Sequence, residues 1–134
     1  MARKRKAEPV AYLEIPLFPI PIYAGKLMVC LTRDEWASLA EAYDSDPDTE
    51  GCKGLCIRYR SDADGRVYAI GVFDGTIDTF MHELAHAAFF ILGDVGVPVE
   101  DGGNNEAYTY LLGFMVREAL PVFLTAVGKI KIST

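Results

Sequence analysis

The sequence predicts an α+β domain in which a small, mainly antiparallel sheet packs with about three helices. Leu55–Arg60 alternates apolar and polar residues, and the almost wholly apolar Val67–Phe73 follows after a turn, so the two segments predict a β-hairpin. Two long apolar segments, at about 76–92 and 104–120, have the length and periodicity of helices. A capping-box pattern that begins at Thr32 indicates a further helix.

The length and composition suit one domain with one hydrophobic core, because the chain has 134 residues and 51% of them are hydrophobic. Residues 1–9 carry the basic run Arg3–Lys6 and should form a disordered tail, which leaves 10–134 as a single domain. The net charge of −6 makes the body unsuited to nucleic acid, so no nucleic-acid partner is expected. The basic run alone leaves a weak contact of that kind open.

The first part of the body should cover or edge the sheet. Residues 10–22 are rich in apolar and aromatic side chains but contain three prolines. Because proline cannot donate to a sheet ladder, this segment is predicted to be extended and peripheral. After a turn at 23–26, Lys26–Leu31 has the composition of a short buried strand.

The first helix has a clear start signal. Thr32 is the expected N-cap, Glu35 stands three residues later, and Trp36 should anchor the helix in the core. The polar segment Asp44–Gly54 that follows is predicted to be a loop. Its carboxylates lack the ligand pattern of a calcium-binding EF-hand.

The second helix is predicted from about Thr76 to Leu92, with Thr76 or Asp78 as its cap and Gly93 at its end. It is apolar nearly all round and should therefore be the central helix. One side of it carries Leu84, Ala88, Ile91 and Leu92, and another stripe carries Asp78, His82, His86 and Phe89. Burying histidines without partners is costly, so this stripe calls for a metal or strong hydrogen bonds.

A glycine-rich loop at 93–104 leads into the last helix, which is predicted to run from about Asn104 to Leu120 and to stop at Pro121. Its expected core side is Tyr108, Leu111, Leu112, Met115 and Ala119, and a separate stripe holds Glu106, Tyr110, Gly113 and Arg117. The apolar segment Val122–Ile132 could add a helical turn and a strand, or form a subunit contact.

The sequence shows neither a secretory signal nor a run of about 18 uninterrupted apolar residues, so a soluble, cytoplasmic protein without a membrane partner is expected. The chain has three cysteines, which are Cys30, Cys52 and Cys56. This odd number argues against a disulfide framework. Cys52 and Cys56 have a permissible zinc spacing, but reduced cysteines without a metal are favoured because a structural site needs four ligands.

The main chemical signal is the segment His82–His86, which reads His-Glu-Leu-Ala-His and contains both histidines of the chain. Residues four apart share a helix face, so His82 and His86 can direct ring nitrogens at one point. Imidazole nitrogen is a preferred ligand of Zn²⁺, and Glu83 beside them could take a proton from a metal-bound water. The pattern predicts a zinc site with a general base.

A catalytic zinc site uses three protein ligands, and the chain has no third histidine. The third ligand should be a carboxylate or a cysteine, and the downstream candidates include Asp94, Glu100, Asp101 and Glu106. Glu106 is favoured because it begins a helix whose rigid backbone can hold it against the first ligand helix.

The pair formed by His82–His86 and Asn105–Tyr108 resembles the zinc site of the gluzincins, the thermolysin-like metallopeptidases. The resemblance covers roughly residues 76–117. It implies that His82, His86 and Glu106 bind zinc, and that Glu83 is the general base that activates water to attack a peptide carbonyl. The short chain also looks similar to small zincin-like proteins of bacteriophages and bacteria.

The sequence departs from the gluzincin pattern in two places. The family usually has an acidic residue four positions after the third ligand, where this chain has Tyr110; Asp78 or Asp101 could orient a ligand instead. The large members also carry a later histidine that stabilises the oxyanion. Here the hydroxyl of Tyr108 or Tyr110, or Arg117, could take that role.

The expected function is that of a zinc-dependent metallopeptidase that acts on a peptide or protein, with the substrate added as a strand beside the hairpin. Two alternatives stay open. One is a zincin-fold binding or assembly protein that keeps the metal site without proteolysis and contacts a partner through its apolar C-terminal segment. The other is a regulatory protease with one dedicated substrate.

Overall fold

The fold is known from a computed structural model, which describes residues 10–100 and 105–128. This part of the chain has a 3-10 turn at Val10–Leu13 followed by four strands and three helices, which are β1 (Leu17–Pro19), β2 (Lys26–Cys30), α1 (Arg33–Ala42), β3 (Gly54–Ser61), β4 (Gly65–Val72), α2 (Ile77–Asp94) and α3 (Glu106–Val127). The α+β class is therefore confirmed. The expected tail at 1–9 lies outside the described residues.

The strands form one mixed sheet in the order β1-β2-β4-β3. β3 and β4 are the predicted hairpin and pair antiparallel, and β1 pairs antiparallel with β2 at the opposite edge. β2 and β4 pair in parallel, so the sheet is mixed and two of its three pairings are antiparallel. β2 and β4 can run in the same direction because α1 and β3 lie between them in the sequence. β3 runs opposite to both strands and so returns the chain to the end of the sheet at which β2 begins.

Helices cover both faces of the sheet. On one face, α2 and α3 pack on Leu27, Val29, Tyr68, Ile70 and Val72. On the other face, α1 packs through Trp36 and Leu39 on a set formed by Met28, Cys30, Val67 and Ala69. Beyond their first residues, which include Lys26 and Arg66, the central strands are almost wholly apolar because both of their faces are buried.

The helix starts follow the sequence signals. Thr32 accepts a hydrogen bond from the Glu35 N–H at 3.1 Å, and the Glu35 carboxylate accepts from the Thr32 N–H at 3.1 Å, which is the predicted capping box. Thr76, rather than Asp78, caps α2 by accepting from the Thr79 N–H.

α2 ends two residues later than predicted, at Asp94 instead of Leu92, and a different glycine terminates it. Gly93 lies inside the last helical turn, and Gly96 has the left-handed φ of 75°. The Val97 N–H donates to the Leu92 carbonyl at 2.9 Å and the Gly96 N–H to the Gly93 carbonyl at 3.3 Å. These two bonds form a Schellman motif, which needs its glycine one position past the cap, Val95.

The predicted stop at Pro121 is wrong, because α3 continues through this proline to Val127. An interior proline costs a helix about 3 kcal/mol. Two residues further on, Phe123 is fully buried and stacks on Phe80 with ring centroids 4.8 Å apart. Burial of such a side chain contributes about 1.5–3 kcal/mol and the stacking about 1 kcal/mol more. Tertiary packing therefore offsets the local penalty.

By length and composition, α3 is the one helix among the described residues that could cross a membrane. One face of it, formed by Leu111, Met115, Ala119 and Phe123, is buried in the core. The core helix of a soluble protein has the same properties, so this helix alone is weak evidence for a membrane protein.

The turn between β3 and β4 holds a buried carboxylate that ties distant segments together. Asp64 accepts hydrogen bonds from four donors, namely the Val10 N–H (3.1 Å), Lys26 Nζ (3.3 Å), the Tyr43 hydroxyl (2.9 Å) and the Ser61 hydroxyl (3.2 Å). Burial by itself would raise the pKa of Asp64. The hydrogen bonds outweigh burial and hold the pKa below its ordinary value.

We expect Asp64→Ala to lower the free energy of unfolding by about 3 kcal/mol, because four donors lose their acceptor. Asp62→Ala, an exposed position in the same turn, should change it by less than about 0.5 kcal/mol. Urea unfolding at neutral pH measures both values, and equal effects of the two substitutions would contradict the role given to Asp64.

The same carboxylate gives a pH dependence. Because its pKa is lower in the folded protein, its stabilisation is full above the ordinary value of 3.8 and is lost as the pH falls from there through the lower, folded pKa. Asp64→Asn should therefore make the free energy of unfolding fall less steeply below about pH 4 than it does in the unsubstituted protein. Urea unfolding at a series of pH values measures this.

Candidate metal centre

The two histidines lie on the exposed face of a helix whose other face is in the core. Phe80, Leu84, Ala88, Ile91 and Leu92 of α2 are fully buried against the sheet and α3. His82 and His86 are both exposed, one helical turn apart. The apolar face thus fixes the helix and leaves both imidazoles at the surface. The expectation that these histidines are buried is therefore wrong, and the cost of burying them gives no argument for a metal.

The imidazoles converge as the spacing predicts. His82 Nε2 and His86 Nε2 are 3.2 Å apart. Two ligand atoms bound about 2.0–2.1 Å from one tetrahedral Zn²⁺ would be separated by about 3.3 Å, so this pair of nitrogens fits a single zinc ion. The same separation also fits a hydrogen bond in which one ring donates to the other.

Glu83 completes a cluster in which ligand atoms of His82, Glu83 and His86 all lie within 4.8 Å of one another. Unlike the histidines, Glu83 is buried, with 7% of its surface exposed. This burial raises its pKa above the ordinary value, while both histidines act in the opposite direction. A carboxyl with a raised pKa beside two metal-type ligands is suited to accept and return a proton.

The first residue of β3 forms the wall beside Glu83. A methyl group at Gly54 would lie 2.7 Å from the Gly71 carbonyl oxygen, 2.7 Å from Thr79 Cγ2 and 3.0 Å from Glu83 Cγ. Only a glycine allows the strand and the helix to approach so closely. Glycine at position 54 therefore sets the distance between the sheet edge and the candidate general base.

A cleft of about 340 Å³ opens at this contact, and it is lined by Lys53, Gly54, Asp78, Thr79, His82 and Glu83. The N-terminal half of α2 forms one side and the start of β3 forms the other. The sequence predicts the helix side of this cleft, whereas residues 53–54 were expected to belong to the loop Asp44–Gly54. From the sequence alone, Gly54 is recognisable only as a turn residue. Its neighbours in the fold, Gly71, Thr79 and Glu83, are distant from it in the sequence.

Three of the four carboxylates considered for the third ligand can be located. Asp94 is engaged elsewhere, since it accepts from Arg58 Nη1 at 2.8 Å and from the Tyr68 hydroxyl at 2.7 Å. Glu100 and Glu106 are exposed. Asp101 lies outside the described residues.

Glu106 is the first residue of α3 and is not part of the three-residue cluster on α2. The start of α3 is nevertheless held against the histidine stripe. Tyr108, two residues further on, stacks on Phe89 of α2 with ring centroids 4.8 Å apart. The role of Glu106 as the third ligand stays a prediction.

The other residues considered for the site are spread more widely. Asp78 lines the cleft one turn before His82. Tyr110 is 76% exposed, and Tyr108 is held by its stacking contact. Arg117 is exposed with its guanidinium over the Phe114 ring, and the helical rise places it about 16 Å along α3 from Glu106. A role for any of these four in orienting a ligand or stabilising an oxyanion stays a prediction.

The cysteines are free thiols at separate places. Cys30 packs on the α1 side of the sheet and Cys56 on the α2 side, so the two cannot hold one ion together. Burial raises the pKa of each to about 12, which keeps both thiols protonated at neutral pH.

Comparison with family models finds none that matches this chain, and comparisons with curated proteins and with solved structures also find no match. The likeness to the gluzincins therefore depends on the two short motifs alone.

We expect Gly54→Ala to lower the free energy of unfolding by about 1–3 kcal/mol, because the added methyl forces β3 and α2 apart. It should also reduce any activity that depends on Glu83. The matched control is Gly113→Ala in α3, where an added methyl has nothing within 4 Å; it should raise stability by about 0.5–1 kcal/mol. Thermal unfolding of both variants checks this, and a neutral Gly54→Ala would contradict the close packing.

Proposed function

We propose that the protein is a zinc-dependent metallopeptidase with His82 and His86 as zinc ligands and Glu83 as the general base. The observation that carries the proposal is the convergence of the two Nε2 atoms, 3.2 Å apart and exposed, beside a buried carboxyl of raised pKa. A pair of hydrogen-bonded surface histidines explains the first feature but gives no reason for the second.

Each side chain of the proposed site has a separate role in the reaction. His82 and His86 would hold the ion from consecutive turns of α2, and Glu106 is proposed as the third ligand from the start of α3. Zinc, when bound, supplies a Lewis acid that lowers the pKa of a water and polarises a carbonyl. Glu83, which is buried beside the two histidines, would take a proton from the attacking water and pass it to the leaving amine.

The substrate side is suggested by the sheet. β3 is an edge strand, since β4 pairs with one of its sides and no described strand pairs with the other. An extended peptide could add to that free side by main-chain hydrogen bonds. Because β3 begins at Gly54, next to Glu83, such a peptide would pass the candidate catalytic group.

A second candidate function, a binding or assembly protein of similar fold, is favoured by a different surface. The C-terminal half of α3 and the segment before α1 enclose a mostly apolar cleft of about 720 Å³, lined in part by Pro16, Leu31, Pro121, Val122 and Ala126. Apolar surface of this kind is typical of a place where another protein binds. An oligomer through the apolar C-terminal segment is one form of this alternative.

We expect the purified protein to bind about one zinc ion per chain, with the affinity reduced more than about 100-fold in His82→Ala and in Glu106→Ala. Glu118→Ala, on the same helix as Glu106, and Cys52→Ser are the matched controls and should keep the metal. Elemental analysis after dialysis against a competing chelator measures this. Full zinc in Glu106→Ala would refute the third ligand alone, and full zinc in His82→Ala would refute the site.

We expect Glu83→Gln to retain zinc but to lower peptide cleavage by about 10²–10⁴-fold, the usual contribution of a general base. The measurement is the rate of cleavage of an unstructured protein library by mass spectrometry, because a protease with one dedicated substrate would be silent on short generic peptides. Cleavage at an undiminished rate in purified Glu83→Gln would rule out this mechanism.

A further inference from the structure

The turn between β1 and β2 presents an isoleucine to solvent in an unfavourable backbone conformation. Ile22 is 92% exposed, the highest value among the large apolar side chains that the structure describes. Its φ is 68°, in the left-handed region that β-branched residues rarely adopt. Such a conformation is costly and persists only where the surrounding structure imposes it. Both the exposure and the backbone of Ile22 therefore oppose stability, which calls for another reason for this residue.

The turn around Ile22 is held from both sides. The Tyr23 N–H donates to the Pro21 carbonyl at 2.7 Å, and the Ile20 N–H donates to the Gly25 carbonyl at 3.0 Å. Ile20 is buried in the main core, and Tyr23 packs against the same core. These contacts fix the backbone so that Ile22 projects away from the protein. Residues 20–25, named here the β1–β2 tip, thus form a rigid apolar projection.

The apolar cleft of about 720 Å³ lies at the opposite end of the same pair of strands. Pro16, just before β1, and Leu31, just after β2, both line it. Because β1 and β2 are antiparallel, the turn that joins them lies at their other end. The four residues from Pro16 to Ile20 alone span about 13 Å at about 3.3 Å per residue. Ile22 therefore cannot enter the cleft of its own chain, but it can enter that of another copy.

The two ends also differ in charge. At the tip, a methyl group on Gly25 would lie 3.5 Å from Arg66 Cβ, so a cationic residue stands beside the projection. Two carboxylate residues, Glu14 and Glu35, line the cleft. Opposite charges favour a contact between the tip of one copy and the cleft of another, whereas two tips would bring like charges together.

We propose that the β1–β2 tip of one chain inserts Ile22 into the apolar cleft of a second copy, so that the chains assemble head to tail. Such a contact leaves a tip and a cleft unused at the two ends, and the assembly either grows or closes into a ring. One turn in one cleft buries less than the about 1,200 Å² of a standard interface, so the assembly depends on concentration. The inference deepens the assembly alternative and requires neither zinc nor cleavage.

Sedimentation equilibrium of the full chain tests this at concentrations from about 10 µM to about 1 mM, the range in which weak contacts form. We expect the average mass to rise with concentration and to exceed that of a dimer. Ile22→Asn should stay monomeric, and its melting temperature should be equal or higher because Asn adopts the left-handed region more readily. The matched control Ile22→Leu keeps an apolar side chain and should still assemble.

The cleft is tested from the exposed position Ala126, which lines it. Ala126→Arg should fill the cleft and keep the chain monomeric, whereas the matched control Ala126→Ser should assemble. A mixture of Ile22→Asn with Ala126→Arg retains one usable tip and one usable cleft. We therefore expect a heterodimer from this mixture and nothing larger.

Self-association of Ala126→Arg alone would show a contact that does not use the cleft and would overturn the inference. So would an unsubstituted chain that stays monomeric throughout, in which case the occupant of the cleft is residues 129–134 or another protein. Assembly that survives Ile22→Asn would overturn it as well.

His82→Ala separates this inference from the proposed function, because it removes a proposed zinc ligand and leaves the tip and the cleft unchanged. It should assemble like the unsubstituted chain. A protein that assembles but binds no zinc and cleaves no peptide would sink the proposed function and leave the head-to-tail contact standing. A monomer that binds zinc and cleaves peptides would do the reverse.

Discussion

The close approach of β3 to α2 at Gly54 is the contact on which the arrangement of the site depends. The absence of a side chain lets the strand come within van der Waals distance of Thr79 and Glu83. This contact buries Glu83 while the histidines on either side of it in sequence remain exposed. One glycine thus creates the difference in environment that separates a candidate base from two candidate ligands.

The rest of the fold holds that contact in place from several directions. The core face of α2 packs on the sheet and α3, so the helix cannot rotate without exposing fully buried side chains such as Leu84 and Ile91. At the far end, Arg58 and Tyr68 of the hairpin both bind Asp94 of α2. Asp64 fixes the hairpin turn to β2 and α1. The hairpin is therefore held at the start and middle of β3 and at its turn, and no strand of the described residues pairs with its outer edge.

The features that depend on residues close together in the sequence were predicted correctly. The capping box at Thr32, the hairpin, and the convergence of His82 and His86 follow from periodicity and capping within a few residues. The sequence could not reveal features that distant partners decide. Burial of Phe123 carries α3 through Pro121, and the parallel pairing of β2 with β4 depends on the path of the whole chain.

The site was predictable to the same extent. Its helix side was evident from the histidine spacing, whereas the wall at Gly54 comes from residues that are neighbours only in the folded protein. The start of α3 lies against Phe89 through Tyr108, which brings the helix of Glu106 to the histidine stripe.

X-ray absorption at the zinc edge of the metal-loaded protein tests the central claim most directly. We expect nitrogen and oxygen scatterers at about 2.0–2.1 Å, with the outer-shell pattern of two imidazoles. We also expect one oxygen ligand to be lost or replaced in Glu106→Ala. Sulfur scatterers at about 2.3 Å, or a spectrum with fewer than two imidazoles, would contradict it.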